Sequence, residues 1–228
     1  MKLALIGYGR MGKAIEKIAF NRQHKLLLKT KNCPTYKSFK NVEVAIEFSQ
    51  PEYAVANIKI CLYENISVIS GTTGWLFSME QIKKICLRNS GTFLYASNFS
   101  LGVNLFFEIS RKFAKLIKTY KKEYEVEIEE IHHLNKKDIP SETAIRLAEG
   151  IAKQWVLGEK KNNISIFSKR FKKIAGIHIV KYQSIIETII FKHTAHNRKG
   201  FALGAVIAAE WINYKKGIFT MKDVLGIY

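Results

Sequence analysis

Hydrophobic and polar positions in the first hundred residues follow two alternating rhythms. Short runs rich in Leu, Ile and Val fall at 2–6, 25–30, 42–48, 66–70 and 92–96. Each is too short for a stable helix, which predicts strands. Between the runs, apolar residues recur at three- and four-residue spacing, as Met11, Ile15, Ile18 and Ala19 do after the first. That spacing predicts helices with one buried stripe. Pro51 suits a first helical position, where its missing N–H has no partner to lose. Ser78 with Gln81 is expected to form a capping box at the start of the next helix. Strand–helix alternation of this kind predicts a parallel sheet covered on both faces.

Beyond residue 100 the pattern changes. Val103, Phe106, Phe107, Phe113, Leu116 and Ile117 predict a long helix. From Tyr124 to Ile131 apolar and acidic residues alternate, the period of a strand with one wet face. A helix is expected from 141 to about 157. Strands at 164–167, 177–182 and 185–192 are expected to form an antiparallel set. A long helix over 201–214 and a short one capped by Thr220 with Asp223 close the chain. The fold class is therefore α/β: a parallel-sheet domain over 1–99, then an α+β domain over 100–200 on a mostly antiparallel open sheet. Residues 201–228 are expected to pack back on the first domain.

Composition narrows the function. The chain is 47% hydrophobic and 25% charged, as globular proteins are. No apolar stretch approaches the roughly 20 residues of a membrane span. The opening apolar run stops at Gly7, too short for the core of a secretion signal. Cys33, Cys61 and Cys86 make no CxxC pair, and no His stands at zinc-finger spacing. Reduced core thiols, a cytoplasmic location and no metal centre are the expectation. The formal charge of +18 suggests anionic partners, but the lysines are spread along the chain with abundant Ile and Asn. A solvated surface with a small anion site fits this better than nucleic acid or membrane.

Gly7-Tyr8-Gly9-Arg10-Met11-Gly12 is a GxGxxG run placed after a strand and opening a helix. The first Gly permits the tight turn, the second lets backbone approach a pyrophosphate, and the third lets helix and strand pack closely. The helix N-terminus adds N–H groups and positive potential. An ordinary strand–helix turn is the alternative. From Lys17 to Val42 no Asp or Glu occurs to hold a ribose 2′-hydroxyl, and the second strand ends in Lys29, Thr30 and Lys31. Cations there favour NADPH over NADH, unless Lys29 and Lys31 are plain surface charges. Gly71, Thr72, Thr73 and Gly74 follow one strand, and Ala96, Ser97, Asn98 and Phe99 another. Both lie where open α/β sheets bind ligands, and both also read as turns.

His132-His133-Leu134-Asn135-Lys136-Lys137-Asp138-Ile139-Pro140-Ser141 ends the acid-rich strand and leads into a helix. Proton donors, positive charge and free backbone N–H groups together suit an anionic substrate that must be protonated. A basic surface loop, with one His bonded to the glutamates of its strand, is the competing reading.

Taken in order, GYGRMG, FSQPE, SGTTGW, ASNFSLGVN, EEIHHxxKxDxPS and HTAHNRKGFALGAVIAAEW resemble the dihydrodipicolinate (4-hydroxy-tetrahydrodipicolinate) reductase family over essentially the whole chain. The resemblance implies nicotinamide-dependent reduction of a small dicarboxylate to tetrahydrodipicolinate, in the diaminopimelate route to lysine. It makes His132 the general acid/base and Lys136 a proton donor, with His133 on the substrate. The amides after Ser141, at Glu142 and Thr143, would hold a carboxylate. Residues 7–12, 71–73 and 96–99 would line the cofactor, and a homotetramer would assemble through the second domain's sheet. His196 and Arg198 would bind substrate or brace the site. One position departs: Glu142 stands where the family usually has Gly, adding bulk and a charge of the substrate's own sign, although its backbone N–H survives. A catalytically impaired nucleotide-binding relative is therefore one alternative. Another amino-acid-pathway reductase is a second, but an aspartate-semialdehyde type would need a Cys after Cys86, and none is present.

Overall fold

The structure is a computed structural model that describes all residues except 32, 33, 35–38, 135, 137, 156–163, 173, 198 and 228. Cys33, Asn135, Lys137, Leu157 and Arg198 thus lie outside the described residues. The chain divides into two units, Met1–Leu101 with Lys199–Tyr228, and Gly102–Arg198.

In the first unit β1 (Lys2–Ile6), β2 (Lys25–Thr30), β3 (Val44–Glu47), β4 (Ser67–Ser70), β5 (Thr92–Tyr95) and β10 (Gly217–Phe219) form one sheet. Its order is β10-β5-β4-β3-β1-β2, parallel throughout. Helices α1 (Arg10–Asn21), α2 (Pro51–Tyr63), α3 (Met79–Arg88) and α6 (Lys199–Ile212) cover it. Central strands buried on both faces need unbroken apolar runs, and β3 is buried at every position. One face packs Leu3, Leu5, Ile46 and Ile69 with Ile15 and Ala19 of α1 and Ala202, Ala205 and Val206 of α6. The other packs Ala4, Ile6, Ala45 and Val68 with Ile58 and Leu62 of α2 and Ile82 of α3. Cys61 and Cys86 are buried in this second layer.

Local signals at the helix ends fared unevenly. Pro51 is the first residue of α2, and Thr220 with Asp223 forms a reciprocal capping box on α7 (Met221–Val224). Ser78 forms none with Gln81. It ends a 3₁₀ turn, Leu76–Ser78, and has ψ near 5°, so its hydroxyl makes no cap hydrogen bond. A capping box requires an extended N-cap residue. Strand β10, only three residues long, carries too little pattern to be seen in sequence.

The return of α6 to the sheet is fixed by charge as well as by packing. Arg22 donates two hydrogen bonds of 2.7 Å to Glu210, whose carboxylate also meets His24 at 2.6 Å. Arg22, with His24 adding to it, holds the Glu210 carboxyl below its usual range against the opposing effect of burial. A depressed carboxyl contributes stability above its unfolded pKa, which is lost as pH falls through the folded value. Thermal unfolding followed from about pH 6 to pH 3 should therefore show a shallower acid decline in Glu210→Gln than in the wild type. Equal slopes would mean that this cluster contributes nothing.

In the second unit α4 (Leu101–Ile117) is followed by β6 (Glu125–His132), α5 (Glu142–Trp155), β7 (Ser165–Arg170), β8 (Gly176–Gln183) and β9 (Thr188–Ala195). The four strands order as β7-β6-β8-β9. β8 is antiparallel to β6 and β9, but β7 runs parallel to β6. The sheet is mostly antiparallel as expected, and β8 and β9 pair antiparallel, but β7 is corrected: it pairs parallel with β6. β7 follows a helical crossover, α5, and such a crossover returns the chain in the direction of the first strand. One face of the sheet packs Ile128, Val180 and Tyr182 against Phe106, Leu147, Ile151 and Trp155 of the helices. Among the described residues no helix is long and apolar enough to cross a membrane.

Candidate active site

In the first unit the carboxyl ends of the parallel strands carry the glycine turn and the two loops singled out in sequence. Gly7 has φ of +95°, and a Cβ there would lie 2.0 Å from the Phe48 carbonyl oxygen. A Cβ on Gly12 would lie 2.6 Å from the Gly7 oxygen, so α1 can reach β1 only without one. Gly9 differs: a Cβ there would meet nothing within 4 Å. Two glycines are required by the protein's own packing, and the third leaves backbone open, as a pyrophosphate needs. The turn is pinned to β2 by Gly7 and Tyr8 amides donating to the Thr30 oxygen at 2.8 and 3.1 Å. Arg10 is exposed, Met11 is half-buried against the core, and together with Tyr8 they belong to this turn. These residues fit a nicotinamide dinucleotide.

Sequence reading missed Glu47, a carboxylate with no solvent exposure at the end of β3. It accepts hydrogen bonds from Ser70 Oγ at 2.7 Å, Thr72 Oγ1 at 2.9 Å, the Ser49 amide at 3.0 Å and the Ser49 hydroxyl. It thereby ties the loop after β3 to Gly71, Thr72 and Thr73 after β4. A Cβ on Gly71 would run into the Phe48 ring at 2.2 Å. The Ala96–Phe99 stretch is shaped by the Asn98 side chain, which accepts from the Ser100 amide at 2.9 Å, and by α6. A Cβ on Gly204 of that helix would lie 1.7 Å from the Phe99 oxygen. Ser97 lies in the same bend.

The lysines after the glycine turn are not equivalent. Lys29 lies 2.9 Å from Glu16 of α1 and sits over the Tyr8 ring, while Tyr8 also donates its hydroxyl to Glu16. Glu16 falls one position before the acid-free stretch and was overlooked for that reason. Lys31 is exposed.

In the second unit the alternation along β6 breaks at its end. Val126 and Ile128 point into the core, and the same face then presents Glu130 and His132, both buried. The register places Ser168 of β7 and His178 of β8 opposite Glu130, and Arg170 opposite His132. Glu130 has no exposure, and burial alone would raise its carboxyl. Hydrogen bonds from His132, Ser141 and Ser168 outweigh that and hold it far below the usual carboxylate range. Its oxygens accept from the Ser141 amide at 3.1 Å, Ser168 Oγ at 2.8 Å and the Arg170 guanidinium at 3.3 and 3.4 Å.

His132 places Nδ1 3.4 Å from the Ala175 carbonyl oxygen, and Nε2 3.3 Å from His178 Nε2 and 3.4 Å from Glu130. Burial, with His132 beside it, pushes His178 down to about 4. It is therefore neutral at pH 7, and its Nε2 faces Ser141 Oγ at 3.3 Å. Ser141, 2% exposed, caps α5 by accepting from the Ala144 amide at 3.1 Å. The amides of Glu142 and Thr143 occupy the first two helical positions, where no intrahelical acceptor exists. The Glu142 side chain is exposed and Thr143 is half-buried. His133 is half-buried, and Lys136 pairs with Asp138 at 2.6 and 2.8 Å, drawing the Asp138 carboxyl down. His196 is exposed.

Profiles described as dihydrodipicolinate reductase, C-terminus and N-terminus, match residues 102–225 and 27–99. The chain belongs to the dihydrodipicolinate reductase family. A 4-hydroxy-tetrahydrodipicolinate reductase of Christiangramia forsetii is 48% identical over 99% of this chain and 98% of its own length. One from Methanosarcina barkeri is 37% identical over 86% of this chain and 78% of its own. A dipicolinate-bound dihydrodipicolinate reductase from Paenisporosarcina shares the fold, with a TM-score of 0.81 and 22% identity over 98% of each chain. An aspartate-semialdehyde dehydrogenase from Vibrio cholerae is similar only at a TM-score of 0.51 and 11% identity, over 92% of this chain and 97% of its own.

For a dihydrodipicolinate reductase family member the two sets of residues divide the chemistry simply. The first unit carries the glycine turn and the two loops at its strands' carboxyl ends, and the second carries the titratable cluster and a helix N-terminus whose first amides have no intrahelical acceptor. The bonded-histidine reading of the HHxxK segment is also realised, because His132 does contact a glutamate of its own strand. That glutamate, however, is Glu130 on the inner face, not Glu125, Glu127 or Glu129 of the alternating run.

Proposed function

We propose that this chain reduces 4-hydroxy-tetrahydrodipicolinate to tetrahydrodipicolinate with NADPH or NADH, in the diaminopimelate route to lysine. A reduced nicotinamide supplies the hydride, the substrate's 4-hydroxyl leaves as water, and the protein supplies one proton. The observation that carries this reading is that one buried carboxylate, Glu130, joins the acid to the anion site. It lies 3.4 Å from His132 Nε2 and accepts the Ser141 amide that opens α5.

The proton inventory of His132 supports its role as acid. A carbonyl can only accept, so Nδ1 facing Ala175 keeps its hydrogen and the exchangeable proton belongs to Nε2. Glu130 lies 3.4 Å from that nitrogen, and neutral His178 places its Nε2 3.3 Å away. Lys136 and His133 supply positive charge and hydrogen bonds for the substrate's carboxylates, with the amides of Glu142 and Thr143 taking one carboxylate at the helix N-terminus. The Glu142 side chain is exposed, so its charge is screened by water and leaves those amides usable.

Dipicolinate is the bound molecule in the Paenisporosarcina relative, and it carries the same pair of carboxylates as the proposed substrate. Calorimetry with the wild-type protein and NADPH should show dipicolinate binding at one site per chain, and kinetics should show competition with substrate. Absence of both would overturn the dicarboxylate reading.

On cofactor choice, Lys29 and Lys31 support NADPH, yet Glu16 competes with a 2′-phosphate for Lys29. Glu16→Gln should lower the KM for NADPH several-fold and leave that for NADH nearly unchanged. Equal changes for both cofactors would remove Lys29 from 2′-phosphate recognition.

The outer face of the second unit's sheet supports self-association into the homotetramer that the family resemblance implies. Phe167 and Ile190 are more than half exposed on it, among ion pairs Glu127–Lys181 and Glu129–Lys169. Light scattering should give four chains for the wild type and fewer for Ile190→Lys. A monomeric wild type would contradict this.

A further inference from the structure

Three lone-pair donors converge on the inner face of β6. His132 Nε2 lies 3.3 Å from His178 Nε2 and 3.4 Å from Glu130 Oε2, and His178 Nε2 lies 3.9 Å from the same oxygen. A tetrahedral ion with bonds of about 2.0–2.1 Å sets neighbouring donors about 3.3–3.4 Å apart. Two edges of the triangle already have that length, and the third needs to close by roughly half an ångström. The donors are held by backbone ladder rather than by loop. Glu130 and His178 are paired in register across β6 and β8, and His132 follows on the same face. All three are buried, and among the described residues they are the one such group.

The surroundings orient the donors as metal ligands need. The Ala175 carbonyl fixes the hydrogen of His132 on Nδ1 and turns the Nε2 lone pair inward. Ser168 and Arg170 occupy Glu130 Oε1, which leaves Oε2, with the Ser141 amide, facing the imidazoles. Ser141 Oγ, 3.3 Å from His178 Nε2, offers a neutral oxygen at the edge of the triangle.

We propose that Glu130, His132 and His178 form a binding site for a zinc-class divalent ion, which takes the place of the protons that otherwise separate these donors. Two imidazoles and one carboxylate select zinc or cobalt over magnesium or calcium, which require oxygen ligands. Arg170 on the far oxygen of Glu130 makes the site weaker than a structural zinc centre. An ion bound here occupies His132 Nε2, so on the reading that this atom carries the exchangeable proton it also blocks turnover.

The test uses the full chain stripped with a chelator and titrated with Co(II). The expected result is the visible absorption of tetrahedral cobalt, saturating at one ion per chain and displaced by micromolar Zn(II). The band should vanish in His178→Ala and weaken in His178→Gln, with folding of both verified by circular dichroism, and should persist in His24→Ala. No such band in the wild type, or an unchanged band in both folded His178 variants, would overturn the site. Turnover is read separately. Zinc inhibition reversed by chelator agrees with the proposal, whereas an ion bound at the site without inhibition would keep the site and remove His132 from its role as acid.

Discussion

Alanine at position 132 is expected to lower kcat by about 10²–10⁴-fold, the usual worth of a positioned proton donor, while binding of reduced nicotinamide stays at the wild-type level. The separation follows from where the parts lie. The turns proposed to hold the cofactor belong to Met1–Leu101 with Lys199–Tyr228, whereas His132 belongs to Gly102–Arg198. Fluorescence titration with NADPH and steady-state kinetics on the same preparation give both quantities. Circular dichroism confirms that the truncated ring has not unfolded the sheet. A kcat within a few-fold of wild type would show that the proton comes from another group, and Lys136 would then be the residue to replace.

Glu130→Leu is expected to have the largest effect on stability, lowering that of the second unit by about 3–5 kcal/mol, as when one member of a buried ion pair is removed. The carboxylate has no exposure and accepts from the Ser141 amide, Ser168 and Arg170. Leucine leaves a guanidinium and an amide with nothing to replace it. Glu130→Gln keeps the shape and part of the hydrogen bonding, so it should lose clearly less. Denaturant unfolding of the three proteins tests this. Wild-type stability in both variants would mean that the charge on Glu130 contributes little to folding.

How much of this was legible in the sequence depended on where the cause of each feature lies. The central parallel strands were readable because doubly buried strands must be continuous apolar runs, and β1 begins and ends where its run does. The glycine turn was readable because each glycine answers a local need: a left-handed φ at Gly7, close packing at Gly12, open backbone at Gly9. β10 and the parallel placement of β7 were not, since both are decided by what lies beside them in space.

The same distinction governs the site. His132, His133 and Lys136 stood out as a local cluster of unusual chemistry. Their partner His178 lies 46 positions away from His132, in a separate strand, and nothing local marks it. A signal was nonetheless present. The alternation of β6 assigns position 130 to the apolar face, and the residue there is glutamate. A charge on the core side of a regular strand demands a buried partner, and Arg170, Ser168 and His178 are those partners. Glu47 broke the apolar run of β3 in the same way and proved to be the anchor of the Thr72 loop.

Transfer of a labelled hydride is the most direct measurement. The purified chain would be given freshly generated 4-hydroxy-tetrahydrodipicolinate and nicotinamide cofactor carrying deuterium at C4, and the product analysed by mass and by NMR. The expected result is oxidation of the cofactor with one deuterium delivered to the ring carbon that bore the hydroxyl. No oxidation with either NADPH or NADH, or oxidation without deuterium in tetrahydrodipicolinate, would contradict the proposed reduction.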